Sequence, residues 1–184
     1  MRATRWSRWA AEPDEIWSSS ASGWRRSRRW YWLTSAHRYS NAHVNAAGCT
    51  AGGNVRCIEA DATRFGPEAP VDCVYLSYAL TMIPDWFAAI DNALAMLKPG
   101  GTLGVVDFYV SRAHPLPGLR RHGVATRHFW PLWFGHDGVN LNPDHLPYLM
   151  SRTIDHQVVE ERSPVPWMGG MRVPCYRFLG RKAG

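Results

Sequence analysis

The chain has 184 residues, of which 46% are hydrophobic and 20% charged, and its formal net charge is +6. This length suffices for one α/β domain with its own core. No stretch approaches the roughly eighteen uninterrupted apolar residues of a membrane-spanning helix, and no apolar run follows the charged N-terminus as in a secretory signal. The four cysteines lack C-x-x-C spacing, which argues against a zinc ribbon. We therefore expect a cytoplasmic protein.

Residues 1–53 form an atypical segment that is rich in Arg, Trp and Ser and has no clean period of a strand or a helix. Its first thirty residues hold seven arginines and five tryptophans against three acids. Three explanations remain open: a frameshift or misplaced start, a truncation with a disordered tail, and a basic aromatic arm on membrane headgroups. This composition also permits nucleic-acid binding, but no recognised module supports it.

Regular patterning begins at Asn54. Val55 to Ala60 (VRCIEA) alternates as a strand, and Asp61-Ala62 follows at its carboxyl end. In isolation, Asp61 has two interpretations, because the same carboxylate that binds a ligand at a strand end can simply turn the chain.

Val71 to Tyr109 is the stretch around which the rest is organised, and it predicts strand, helix, Lys-Pro-Gly-Gly turn and strand. Its apolar runs are typical of strands buried on both faces of a parallel sheet. We expect Asp85 to cap the helix and Lys98 to lie in its last turn. A unit of this length is a right-handed β-α-β crossover, so the fold class is α/β with a mostly parallel sheet.

The C-terminal third predicts a helix that starts at Asn142-Pro143-Asp144 and then two strands, Thr153 to Arg162 and Arg172 to Gly180. We expect these strands to form an antiparallel pair at the sheet edge. The aromatic block HFWPLWF, which begins at His128, is explained mostly by core packing.

The β-α-β unit with its LKPGG turn resembles the second half of a class I S-adenosylmethionine-dependent methyltransferase. Four segments are similar to one branch, the methyltransferase of betaine-lipid synthesis, which N-methylates diacylglyceryl-homoserine: LSYALTMIPDW, GVVDFYVS, HFWPLWFGHDGVNLNPDHLPYL and VPCYRFLGRK. The resemblance covers about Asn54 to Lys182, so residues 54–184 read as the C-terminal part of the domain. It implies a Rossmann-like sheet with an antiparallel C-terminal strand pair, whose N-terminal strands and Gly-rich turn are missing or degenerate in residues 1–53.

The resemblance also implies S-adenosyl-L-methionine as cofactor. Asp61 would accept a hydrogen bond from the adenine amino group, and the Ala62 amide would meet the ring. Ser77 and Tyr78 close the next strand, and ligands of open α/β sheets gather at such carboxyl ends. Either of the two is equally an ordinary strand residue.

Residues after the last parallel strand are the candidates for catalysis and substrate binding. An amine acceptor must lose a proton, which Asp107, Tyr109 or His128 would take; for Asp107, a structural hydrogen bond is the competing interpretation. Aromatic rings favour a cationic amine, and a guanidinium pairs a carboxylate. The predicted substrate residues are Trp130, Trp133 and Arg127. His136, Asp137 and His145 lack metal-ligand spacing, so we predict no metal.

The sequence therefore favours an N-methyltransferase for a lipid head group, with an amphiphilic substrate, possible peripheral contact with a membrane surface and no nucleic-acid partner. Two alternatives remain. One is a methyltransferase for another small amphiphile such as a quinone precursor, and the other is a catalytically inactive fragment that lacks the Gly-rich turn.

Overall fold

The computed structural model describes residues 30–33, 58, 60–164 and 170–184. In this part of the chain, five strands form one sheet in the order β1-β2-β3-β5-β4. The elements are β1 (Trp30–Leu33), β2 (Val71–Ser77), α1 (Trp86–Met96), β3 (Leu97–Phe108), α2 (Val124–Gly135), α3 (His145–Arg152), β4 (Ile154–Pro164) and β5 (Arg172–Arg181).

The first three strands are parallel, so their carboxyl ends meet at one edge of the sheet. Trp30 of β1 lies opposite Cys73 of β2, and Val74 of β2 lies opposite Leu103 of β3. Strand β1 corrects the expectation of no regular element in residues 1–53. It is only four residues long and has the sequence WYWL. The predicted strand at 55–60 lies largely outside the described residues, as does any Gly-rich turn.

Helix α1 and the LKPGG turn form the crossover, although two of the expected details differ. Asp85 is the N-cap residue but makes no side-chain capping hydrogen bond. Helix α1 ends at Met96, so Lys98 lies in β3 and pairs with Asp72 at 2.9 Å instead of capping the helix. A side chain at Gly101 would come within 2.9 Å of the Lys98 carbonyl, which explains why this turn requires glycine.

The C-terminal strands confirm the predicted antiparallel pair. Val105 of β3 lies opposite Phe178 of β5, and Val158 of β4 lies on the other side of the same phenylalanine. Strand β5 is therefore central and β4 is the edge, which agrees with the many exposed residues of β4.

Two hydrophobic clusters stabilise the sheet. The larger one joins the strands to α1 and α3 and includes Leu76, Ile90, Leu103 and Leu149. The smaller one lies beneath α2 and includes Phe108, Val110, Trp130, Leu141, Val173 and Cys175. This second cluster packs α2 against the carboxyl end of β3, where the sequence places its candidate site.

Candidate functional site

The carboxyl ends of β2 and β3 form the edge that carries Ser77, Tyr78 and Asp107. Ser77 closes β2 and is 7% exposed. The amide of Tyr78 donates a 2.8 Å hydrogen bond to the Val106 carbonyl of β3. Tyr78 has a φ of 48°, in the left-handed region that residues other than glycine seldom adopt. Such strain is more frequent at functional sites than elsewhere, and Asp155 on β4 has the same φ.

Asp107 lies on β3 at this edge and is fully buried. Its Oδ1 accepts 2.8 Å hydrogen bonds from the Thr81 hydroxyl and the Phe108 amide, and its Oδ2 accepts a 3.2 Å bond from the Thr81 amide. Burial raises the pKa of Asp107 to about 6, although these donors oppose the rise. The structural hydrogen bond expected as one interpretation of this acid is therefore present, and it fixes the turn after β2.

Asp61 begins an exposed turn. Its Oδ1 accepts hydrogen bonds from the Thr63 amide at 2.9 Å and the Thr63 hydroxyl at 2.8 Å, and both lower the pKa of the carboxyl. The side-chain amide of Asn92 on α1 donates to the carbonyls of Ala62 at 2.9 Å and Phe65 at 2.7 Å. Asp61 thus turns the chain and also presents an ionised carboxylate at the surface, while α1 fixes the turn.

Helix α2 covers the edge with the aromatic rings of its inner face. Phe134 stacks on Trp130 at 5.8 Å and on Phe108 at 5.9 Å between ring centroids. Phe108 in turn lies 4.8 Å from the ring of Tyr78. The helix includes Pro131, whose ring nitrogen cannot donate a backbone hydrogen bond. A continuous aromatic stack therefore joins α2 to the end of β2.

Tyr109 lies in a different environment and is 2% exposed. Its hydroxyl donates to a carboxylate oxygen of Glu160 on β4, and the other Glu160 oxygen accepts a 2.7 Å hydrogen bond from the Arg120 amide. Its ring lies 5.1 Å from His122 and 5.4 Å from Tyr176. This contact ties the loop before α2 to β4, so the Tyr109 hydroxyl already has a structural partner.

The structure does not bring the predicted substrate residues Trp130 and Trp133 around one space. Trp130 is buried in the smaller cluster, whereas Trp133 is 50% exposed on the outer face of α2. His128 is exposed on α2 as well. Arg127 is half-buried, and its Nε has no hydrogen-bond partner within the described ranges. The predicted proton acceptors and substrate residues are therefore dispersed, and Asp107 alone lies at the edge itself.

Sequence reasoning missed the polar side chains that position this edge. No sequence-based prediction gives Thr81, Asn92 or Glu160 a role in the site. Their partners lie 26, 30 and 40 or more residues away along the chain. Local periodicity contains no signal for such pairs. The acid in the run GVVDF was a usable signal, since a buried carboxylate requires a partner.

No cluster of three or more potential metal ligands occurs within the described ranges. In the same part of the chain, no helix has both the length and the apolar character needed to cross a bilayer.

Residues 32–105 match the sequence family described as a methyltransferase domain. A trans-aconitate 2-methyltransferase of Enterobacter sp. (strain 638) is 40% identical over 50 residues, which are 27% of this chain and 20% of the relative. A ubiquinone/menaquinone biosynthesis C-methyltransferase UbiE of Pseudomonas putida is 37% identical over 57 residues, or 30% of this chain and 22% of the relative. The match thus spans about a fifth of the length of these curated relatives.

Solved structures share the fold over most of the chain. One is the N-methyltransferase NodS from Bradyrhizobium japonicum WM9 in complex with S-adenosyl-L-homocysteine, with a TM-score of 0.55 and 12% sequence identity. The superposition covers 83% of this chain and 66% of the NodS chain. The YcgJ protein from Bacillus subtilis has a TM-score of 0.57 and 13% sequence identity, and the superposition covers 83% of this chain and 82% of the YcgJ chain. This likeness confirms the Rossmann-like α/β fold. The chain therefore has a methyltransferase-domain match at residues 32–105, within a fold that it shares with a solved N-methyltransferase.

Proposed function

We propose that the chain is an S-adenosylmethionine-dependent N-methyltransferase that acts on the amine of a lipid head group, with diacylglyceryl-homoserine as substrate. One observation supports the assignment of methyltransferase activity. The matched methyltransferase segment contains an ionised, exposed Asp61 turn, and the strained Ser77-Tyr78 strand end follows it. These are the two places where we predict cofactor contacts, the first from the family resemblance and the second from the strand end.

The described residues fit this cofactor in the chemistry of their donors and acceptors. Asp61 would accept a hydrogen bond from the adenine amino group, and the Ala62 amide would face the ring. Asn92 holds this turn through the Ala62 carbonyl. Ser77 and Tyr78 would lie beside the sulfonium, which supplies an electrophilic methyl group when the cofactor is bound.

Methyl transfer to an amine depends mainly on alignment of the nitrogen with the methyl carbon. Asp107 serves this alignment by fixing the turn after β2 through Thr81. Tyr109 is engaged by Glu160, and His128 lies on the exposed surface. We therefore propose that the amine loses its proton to water before the attack, and that Asp107 has a positioning role.

Two features support a zwitterionic lipid head group as substrate. The block that resembles the betaine-lipid enzyme folds as α2, and its inner rings pack against the strand-end edge. The buried Nε of Arg127 has no hydrogen-bond partner in the described part of the chain. A carboxylate such as that of homoserine would satisfy this donor.

A quinone precursor is the second candidate substrate. The observation in its favour is the identity of 37% over 57 residues to a quinone-biosynthesis C-methyltransferase. Such a substrate has a ring carbon as acceptor and no carboxylate, so it would leave Arg127 without a partner.

Calorimetry of S-adenosylmethionine binding to the purified full chain tests the cofactor site. Asp61→Ala removes the adenine acceptor and should weaken binding by about tenfold, the value of one charge-assisted hydrogen bond. Asp137→Ala, which removes another exposed acid, is the matched control and should leave the affinity unchanged. A wild-type chain that does not bind the cofactor would overturn the proposal and favour an inactive fragment.

Transfer of a radiolabelled methyl group in detergent micelles then identifies the acceptor. We expect label on diacylglyceryl-homoserine and a loss of that activity in Arg127→Gln. Label on a demethylated quinol instead would favour the second candidate.

A further inference from the structure

The outer face of α2 exposes large apolar side chains to solvent. Leu132 is 83% exposed, Trp133 50% and Phe129 42%. These positions recur three and four residues apart, so they lie on one helical face. Val124 at the start of the helix is 63% exposed, and Leu116 in the preceding loop is 41% exposed. We call these five residues the α2 patch.

The chain segment that carries the α2 patch is basic. No acidic residue lies between Asp107 and Asp137. Within that stretch, four arginines lie in the loop before α2 and in its first turn: Arg112, Arg120, Arg121 and Arg127. Arg112 is neutralised by Asp144 at 2.6 Å, whereas Arg120 and Arg121 are exposed beside the patch. An apolar face with a cationic border is the pattern of a segment that lies in a membrane interface.

Packing on the opposite face makes the α2 patch a fixed surface. Trp130 and Phe134 anchor the helix to Phe108. The loop before α2 is tied to β4, because the Arg120 amide donates to Glu160. The outer rings are therefore presented by a packed helix, directly above the edge to which the proposed function assigns the cofactor and the lipid.

We propose that the α2 patch docks on the surface of an anionic phospholipid bilayer. Leu132, Trp133 and Phe129 enter the headgroup region, where amphipathic rings are favoured, and Arg120 and Arg121 contact lipid phosphates. A polyanion such as nucleic acid would engage the arginines but would gain nothing from Leu132. The purpose of this docking rests on the proposed function, because docking would place the strand-end edge next to a lipid substrate. The docking itself does not depend on that function.

Sedimentation of the full chain with vesicles tests the docking without cofactor or substrate. We expect the wild-type chain to bind vesicles of phosphatidylcholine with 30% phosphatidylglycerol. Arg120→Gln and Arg121→Gln should each weaken the affinity for these vesicles by about fivefold. Leu132→Ser with Trp133→Ser should weaken it by roughly tenfold or more. Added salt should weaken the binding, since it screens the arginines.

A matched control replaces apolar residues of equal exposure elsewhere. Ile154 and Val159 on the edge strand β4 are 49% and 48% exposed, so Ile154→Ser with Val159→Ser should leave vesicle binding unchanged. Binding that survives Leu132→Ser with Trp133→Ser would locate the contact elsewhere, for instance in the basic residues 1–53, and would overturn the proposal. Binding to a DNA duplex but not to vesicles would also overturn it. Because no methyl transfer is measured, failure here is distinct from failure of the proposed enzyme activity.

Discussion

Buried polar side chains organise the candidate site at the scale of single residues. The Asp107 carboxylate accepts three hydrogen bonds, two of them from Thr81, although 26 residues separate the pair. Each of these donors offsets part of the cost of burying the charge. This side chain contributes to fixing the turn after β2, which also has backbone hydrogen bonds such as that from the Tyr78 amide to the Val106 carbonyl.

Thr81→Val should therefore destabilise the fold by about 2 kcal/mol at pH 8, where Asp107 is ionised and loses a charge-assisted hydrogen bond. Thr81→Ser keeps the hydroxyl and should stay within about 1 kcal/mol of the wild type. Urea unfolding of the three chains measures the difference. A loss of stability in Thr81→Ser with none in Thr81→Val would show that the Thr81 methyl group, not its hydroxyl, stabilises the turn.

Residue chemistry explains which parts of this site the sequence predicted. An acid in the apolar run GVVDF needs a partner when it is buried, so a structural hydrogen bond was one of two interpretations of Asp107 that the sequence allowed. The identity of the partner did not follow from the sequence, because it depends on how the turn after β2 folds over β3. The same holds for Tyr109, whose position at a strand end was predicted but whose hydrogen bond to Glu160 arises from the distant strand β4.

Helix α1 links the core to the candidate cofactor turn at the scale of elements. Its apolar face packs into the larger cluster, while Asn92 reaches the carbonyls of Ala62 and Phe65. The neighbouring Asp91 points to α3, where it accepts hydrogen bonds from Tyr148 and Arg152 at 2.8 Å. Two adjacent polar residues thus serve different interfaces of one helix.

Asn92→Ala should weaken cofactor binding as well as stability, because it leaves two part-buried carbonyls without their donor. We expect a loss of about 2 kcal/mol in unfolding free energy and a measurable rise in the dissociation constant of S-adenosylmethionine. Asp91→Ala is the matched control. It breaks an ion pair whose side chains are 48% and 38% exposed, so it should cost about 1 kcal/mol or less and leave the affinity unchanged. Unchanged cofactor affinity in Asn92→Ala would show that the Asp61 turn is not part of the cofactor site.

Element prediction succeeded where periodicity was strong and failed where tertiary contacts decide. Strands β2, β3, β4 and β5 and helix α1 follow from their apolar patterns. Helix α2 contains Pro131, and its inner and outer faces are both aromatic, so it has no polar face for periodicity to detect. Strand β1 reads WYWL in an Arg/Trp-rich context, and it is defined by its pairing with β2.

Two buried imidazoles contribute to the response of the folded chain to acid. His145 is fully buried against Trp86, with ring centroids 4.9 Å apart, and neither ring nitrogen has a hydrogen-bond partner among the described residues. Burial lowers the pKa of His145 to about 4. Burial and two nearby arginines also lower the pKa of His122 to about 4.

The sign of the effect follows from the protons bound in each state. Between pH 6.5 and 4 the unfolded chain protonates these imidazoles and the folded chain does not, so stability present above pH 6.5 is lost on acidification. Asp107 acts in the opposite direction. Its pKa is raised from 3.8 to about 6, so it stabilises the fold below pH 3.8 and this contribution is lost as the pH rises through 6.

Because these contributions overlap, a variant is needed to isolate His145. His145→Phe keeps an aromatic ring against Trp86 and removes the titrating group. Relative to the wild type, its unfolding free energy should improve by up to about 3 kcal/mol as the pH falls from 7.5 to 4, which is the linkage value of the lowered pKa. The measurement is urea unfolding at a series of pH values. His114→Phe, at an exposed position, should show no such pH-dependent gain. If the difference in unfolding free energy between His145→Phe and the wild type does not change with pH, the folded chain does not lower the pKa of His145. Acid unfolding would then begin at another group.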